Sequence, residues 1–245
     1  MTVSTYFYFS RRMFSAVVAT LSLAAFTVIS GCDQPAVAPP EPTSGNVRFI
    51  HTAASAGILD FTVLSGGLYV DVFFGTTYGQ QFSALFSTGS RNFRVYLPSS
   101  LTTWIAEAVL NIEENKRYTL LATDQDAAVS PTLFITTDTL AKPLTGKVFV
   151  RFIHASADAP AMNILKTDGS PVISNLNRLE AREYVTLDAG TYTFKATDTA
   201  SATLLTFNPY TFLSGYIYTV VLSGTTGSFS YSALNAAVYI ERGLE

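Results

Sequence analysis

The stretch Val47-Arg48-Phe49-Ile50-His51 returns as Val150-Arg151-Phe152-Ile153-His154, at an offset of 103 residues. Each copy alternates in the way an extended strand requires. Val150, Phe152 and His154 share one face, while Arg151 and Ile153 share the other. Two further matches keep the same order. Gly89 with Phe93-Arg94 aligns with Gly190 with Phe194-Lys195, and Tyr118-Thr119-Leu120 aligns with Tyr218-Thr219-Val220, at offsets of 101 and 100. Three ordered matches at a near-constant offset indicate a duplication, with small loop deletions in the second copy.

The pattern inside each copy is that of β-structure. Asp188-Ala189-Gly190 is a turn signal ahead of the alternating run 191–196. Gly215 opens a strand over 216–222, Ser223-Gly224 closes it, and 227–231 reads as another short strand. About seven short strands in about a hundred residues is the mark of a sandwich. Only 13% of the 245 residues are charged, 48% are hydrophobic, and Phe, Tyr, Thr and Val suit a pleated, half-buried surface. The sequence therefore predicts an all-β fold. Two tandem immunoglobulin-like antiparallel β-sandwiches, over 45–140 and 146–245, follow an N-terminal signal helix and a Pro-rich linker. Small barrels are the alternative within the class. The connector carries Pro143 and Gly146.

Residues 1–31 read as an export signal. Arg11-Arg12 form a basic start, no charge interrupts 13–31, and Ile29-Ser30-Gly31-Cys32 ends the run. That order resembles the bacterial lipobox, which implies diacylglycerol on the Cys32 thiol, cleavage before it, and further acylation such as palmitate. An uncleaved membrane anchor is the competing reading, because about 20 apolar residues span a bilayer. Twin-arginine export is a minority option on Arg11-Arg12. Residues 32–44 hold Pro35, Pro39, Pro40 and Pro42, a tether that reaches about 35 Å when extended. Asp33-Gln34 resembles the signal that retains enterobacterial lipoproteins in the inner membrane, which implies its periplasmic face, with the outer membrane as the alternative. As the chain's one cysteine, Cys32 leaves none for an intramolecular disulfide.

The opening of the second copy, Val150 through His154 and on through Ala155-Ser156-Ala157-Asp158-Ala159-Pro160, resembles a bacterial envelope family catalogued as domain of unknown function 4397. Ala189-Gly190-Thr191-Tyr192-Thr193 and Tyr218-Thr219-Val220-Val221 resemble later motifs of that family. Ala157 stands where the family usually has proline, and the first copy lacks the motif's Asp and Pro. The resemblance implies exported, often tandem, immunoglobulin-like domains. It implies no activity.

Few residues invite chemistry. His51 and His154 are the two histidines, at equivalent positions, and neither has a His or Cys neighbour at metal-ligand spacing. The structural reading packs each ring at a strand end against a loop carbonyl; the functional reading makes it a metal ligand or base. Arg48 and Arg151 could hold an anion, or pair with a carboxylate, for which Asp158 is the candidate beside Arg151. Asp158 also suits an Asx turn with Ala159-Pro160. Asp124-Gln125-Asp126 lacks the rest of a Ca²⁺ loop, Gly224 to Ser228 lacks a P-loop lysine, and no G-x-S-x-G occurs. No cofactor or metal is expected. After Cys32 the chain holds thirteen basic and eighteen acidic residues, a net of −5, which argues against nucleic acid. The expected role is a non-enzymatic binding or structural module, anchored to a membrane by lipid, with an envelope protein or glycan as partner. The alternative is a metal-binding or enzymatic envelope protein with an unrecognised site.

Overall fold

The computed structural model describes residues 43–100, 102–124, 131–139, 141–227 and 233–241. The signal, Cys32, Asp33-Gln34 and the Pro-rich tether lie outside the described residues, as do Gln125-Asp126 and nearly all of the strand expected over 227–231.

The first repeat forms β1 (Ser44–Thr52), β2 (Ile58–Ser65), β3 (Leu68–Thr77), β4 (Gln81–Ser87), β5 (Gly89–Tyr96), β6 (Trp104–Ile112), β7 (Arg117–Asp124) and β8 (Pro131–Asp138). One sheet has the order β4-β1-β7-β8 and the other β3-β2-β5-β6. All pairings are antiparallel except β1 with β7, which is parallel. The β2–β3 hairpin turns on Gly66 and Gly67, with φ of 58° and 85°, a conformation that suits glycine and matches the strand twist. Between the sheets Phe49 meets Phe61, Phe73, Phe86 and Phe93 edge-on at 5.4–6.0 Å. Val47, Leu59, Val95 and Leu120 complete that core.

The second repeat follows the same path with more interruptions: β9 (Lys147–Ser156), β10 (Met162–Lys166), β11 (Pro171–Leu176), β12 (Glu180–Ala181), β13 (Val185–Asp188), β14 (Gly190–Tyr192), β15 (Phe194–Thr197), β16 (Thr203–Thr206), β17 (Tyr210–Phe212), β18 (Ile217–Gly224) and β19 (Asn235–Glu241). The sheets run β11-β10-β15-β16 and β12-β9-β18-β19, with β13 also on β9, and β14 pairs β17. Again the first strand pairs in parallel with the penultimate one, β9 with β18. The run 191–196, expected as one strand, divides at Thr193. Tyr192 stays with β17, while Phe194 to Thr197 crosses to β10 and β16. Val150, Phe152, Ile164, Phe194, Tyr218 and Val220 form this repeat's core. The fold is all-β, two sandwiches in tandem.

A third buried cluster joins them. Ile50 and Leu121 of the first repeat pack with Ile153, Ala155, Val221 and Tyr239 of the second. The described residues of the two repeats accordingly form one compact unit. Burying one such aliphatic side chain is worth about 1.5–3 kcal/mol. The central strands β1, β7, β9 and β18 are therefore covered on both faces, one by their own sandwich and the other by the sister repeat.

Candidate functional site

The alternation that sends Phe49 and Phe152 inward sends Arg48 and Arg151 outward, into the seam. Register sets each arginine beside a threonine, Arg48 opposite Thr119 and Arg151 opposite Thr219. The last strand of each repeat then supplies an acid at its end, Asp138 and Glu241. The ion pairs cross the seam: Arg151 Nη2 lies 2.6 Å from Asp138 Oδ1, and Arg48 Nη2 lies 2.8 Å from Glu241 Oε1. Longer pairs, Arg48 to Asp138 at 3.7 Å and Arg151 to Glu241 at 3.3 Å, close the ring. Arg48 also donates to the hydroxyls of Thr119 and Thr219, and so does Arg151. Thr119 donates to Asp138, and Thr219 to Glu241.

Tyr184 seals one end. Its hydroxyl donates to both Glu241 oxygens at 3.0 Å, and its ring lies under the Arg151 guanidinium at 4.7 Å. Burial pushes the Tyr184 hydroxyl far above the ordinary tyrosine range, and the nearby carboxylates reinforce this. Burial opposes the Arg151 charge, but Asp138, Tyr184 and Glu241 outweigh it and raise the pKa further. Among the described residues, Arg48 Nη1 and Arg151 Nε are buried donors with no partner. A cavity of about 340 Å³ opens beside Arg48, walled by Asn46, Gln81, Ser83, Arg117 and Glu241. Around the ring, Tyr78 and Ser223 share a hydrogen bond at 2.7 Å, Thr123 donates to the Ala155 carbonyl, and Tyr239 to that of Gly79.

Asp158 is not the partner of Arg151. The strand carries Arg151 to the seam, whereas Asp158 lies in the following loop, where it accepts from the Thr226 amide and hydroxyl at 2.8 and 2.7 Å. The expected Asx turn does not form either: residue 160, whose amide would close it, is proline and has no N–H, and the Ala159 amide donates to Ser156 Oγ. In the first repeat the same tie has its acid on the other side: Ser55 donates to Asp124.

Both histidines are buried at their strand ends with both ring nitrogens occupied. The amides of Ala53 and Ser156 donate to Nδ1 of His51 and His154. Nδ1 is thus the acceptor, so Nε2 carries the proton and donates to the carbonyls of Gly57 at 2.9 Å and Pro160 at 3.1 Å. Burial lowers both pKa values, with the loop carbonyls acting in the opposite direction. Among the described residues no three His, Cys, Asp or Glu side chains gather as a metal site.

A second constellation lies on the outer face of β3-β2-β5-β6. The Arg94 guanidinium sits over the rings of Tyr69 and Trp104, at 3.9 and 3.6 Å. Its Nε donates to Glu107 at 2.7 Å, and Asn92 donates to the other carboxylate oxygen at 2.6 Å. These hydrogen bonds, Asn92 first, hold the Glu107 carboxyl below its ordinary range.

Sequence reasoning singled out neither this face nor Asp138 and Glu241. For the two acids a signal exists: they stand 103 residues apart, the same offset as the arginines they serve.

The family model described as Domain of unknown function (DUF4397) matches twice, over residues 69–165 and 150–238. The first match runs across the connector into β10 and leaves out the opening strand of the first repeat. No curated protein matches significantly. Solved structures with some likeness include the Bacillus anthracis TIE protein, at 12% identity and a TM-score of 0.25, over 75% of this chain and 34% of that one. The chain thus spans about a third of that protein. A family 26 carbohydrate-binding module from Eubacterium rectale, solved with maltoheptaose, is 9% identical with a TM-score of 0.25, over 81% and 97% of the two chains. A putative cell adhesion protein from Bacteroides ovatus is 11% identical with a TM-score of 0.23, over 84% and 99%. Likenesses this distant carry no argument about the role of this chain.

Proposed function

We propose that this chain, which belongs to the family of Domain of unknown function (DUF4397), is a non-enzymatic module of the bacterial envelope that binds a protein or glycan there. The supporting observation is where the repeat motif directs its polar groups. Arg48, Arg151, His51 and His154 are the side chains best suited to chemistry, and all are buried against neighbouring strands and loops. A catalytic or metal-binding role needs such a group turned towards a substrate or ion, so it ranks second. What faces water is sheet surface and loop, the parts of a sandwich that serve recognition.

On this reading Cys32 carries the lipid, the Pro-rich segment is the tether, and residues 45–140 and 146–245 are the two β-domains it holds off the membrane. Asp33-Gln34 favours retention at the inner membrane, facing the periplasm, with the outer membrane as the alternative.

Cross-linking of intact cells that make the full chain, followed by capture and mass spectrometry, tests the reading. An envelope protein or polysaccharide should be recovered, with the chain in the membrane fraction. Recovery in the cytoplasmic fraction would sink it.

A further inference from the structure

The chain has one tryptophan, and it opens β6 with 43% of its surface in water. Single exposed apolar residues are ordinary on a protein surface. Trp104 differs because its surroundings are built. Phe93 and Val95 of β5 point into the core, so Asn92, Arg94 and Tyr96 stand on the outer face. Arg94 pairs in register with Glu107, and Tyr96 with Trp104. Tyr69 comes from β3, so three strands contribute to one stack of ring, guanidinium and ring.

The chemistry of this face selects among occupants. The stack rises from the face of the sheet and is centred on Arg94 of the inner strand β5, whereas an added peptide strand would pair along the outer edge of β3 or β6 and leave that face uncovered. A lipid surface would strip water from Arg94, Glu107 and Asn92, a heavy desolvation cost. A polyanion meets the wrong sign, since Asp60, Asp71 and Glu107 outnumber Arg94 on the outward side of these strands. A neutral sugar chain fits each element. Its CH faces stack on aromatic rings, and its neighbouring hydroxyls both give and accept hydrogen bonds. Glu107 offers acceptor lone pairs, while Asn92 and Arg94 offer donors. The side chains are already held by one another, so little ordering entropy is lost on binding.

We propose that the outer face of β3-β2-β5-β6 is a platform for a neutral polysaccharide, with Trp104 and Tyr69 as stacking rings and Glu107, Asn92 and Arg94 as hydroxyl ligands. The proposal rests on the binding-module reading and names its ligand class.

The single tryptophan is also the reporter. The full chain, in detergent if lipidated, is titrated with starch, xyloglucan and galactomannan, and with alginate as the polyanion, while Trp emission and mobility in affinity gels are followed. At least one neutral polymer should shift the emission and retard the protein, and alginate should do neither. Trp104→Ala should weaken retardation about tenfold or more, Trp104→Tyr should restore much of it, and Glu107→Gln should weaken it. Thermal melts of the variants, expected near that of the parent, exclude simple unfolding. No response to any neutral polymer, preference for alginate, or retardation unchanged by Trp104→Ala with melts intact would overturn the proposal. The cross-linking capture repeated with Trp104→Ala separates the two readings: an envelope partner still recovered would leave the module reading standing while the platform falls.

Discussion

Asp138 and Glu241 stand at the same position of the two repeats and trade arginines: Asp138 takes Arg151 of the second repeat, and Glu241 takes Arg48 of the first. The exchange is close to two-fold symmetric, with Thr119 and Thr219 bridging at its centre. Buried charge is stable here because each guanidinium faces two carboxylates and two hydroxyls.

Removing one member should therefore be severe. Arg151→Met leaves two buried carboxylates with one arginine, and a loss of about 3–5 kcal/mol is expected in urea unfolding. Replacing Arg48, Arg151, Asp138 and Glu241 together by apolar residues of similar size should recover most of that loss, since no charge is then stranded. A change below about 1 kcal/mol for Arg151→Met would mean that the seam is not closed in solution.

A fragment of residues 146–245 should fold as a sandwich but not stay alone. It uncovers Ile153, Ala155, Val221 and Tyr239, and leaves Arg151 and Glu241 half-matched. A second copy of the fragment presents the same strand face, with its own Glu241 to receive Arg151. Sedimentation should show a dimer that weakens with Arg151→Glu. A stable monomer would show that the seam contributes little.

Stability should fall on mild acidification because of the two histidines. Each ring is held neutral in the fold, below the ordinary value of 6.5. The unfolded chain therefore takes up protons first, and stability is lost as pH falls through 6.5 towards the lowered folded values. The limit is about 1.4 kcal/mol per pH unit for each histidine. Glu107, Asp168 and Asp188 are held low, so their contribution is lost only in stronger acid. Chemical unfolding between pH 5 and pH 7 should lose part of its slope in His154→Gln. At neutral pH His154→Ala should be less stable by about 1–3 kcal/mol. A flat profile in the parent would contradict the neutral-ring geometry.

Cys32→Ala should abolish incorporation of a fatty-acid analogue and either release the chain from membranes or leave it unprocessed. Labelling that persists in this variant would rule out lipid at Cys32.

The duplicated strand was legible because Val47, Phe49, Val150 and Phe152 alternate with residues of a different environment. The seam was legible only in part. Thr119-Leu120-Leu121 and Val220-Val221-Leu222 carry large side chains towards both faces, the pattern of a strand covered on each side. Alternation alone does not say that the second cover is the sister repeat. Asp158 was the nearest acid to Arg151 along the chain, but nearness along a strand means little when successive side chains point to opposite sides. The Tyr69–Arg94–Trp104 stack depends on register across the four strands β3, β2, β5 and β6, with irregularities at Phe61 in the β2–β3 pairing and between Val95 and Tyr96 in the β5–β6 pairing. No spacing in the sequence encodes those offsets.

Two identical chains meeting through this seam would receive every mutation twice, once in each half. Written in tandem, the halves have been free to drift apart while the joint between them holds. The acid of the Ser55–Asp124 tie has changed sides in Asp158–Thr226. Lys195 faces Thr206 where Arg94 faces Glu107. A lineage that keeps Arg48, Arg151, Asp138 and Glu241 can remodel the outer surface of one half for a new ligand while the other half remains its unaltered foundation.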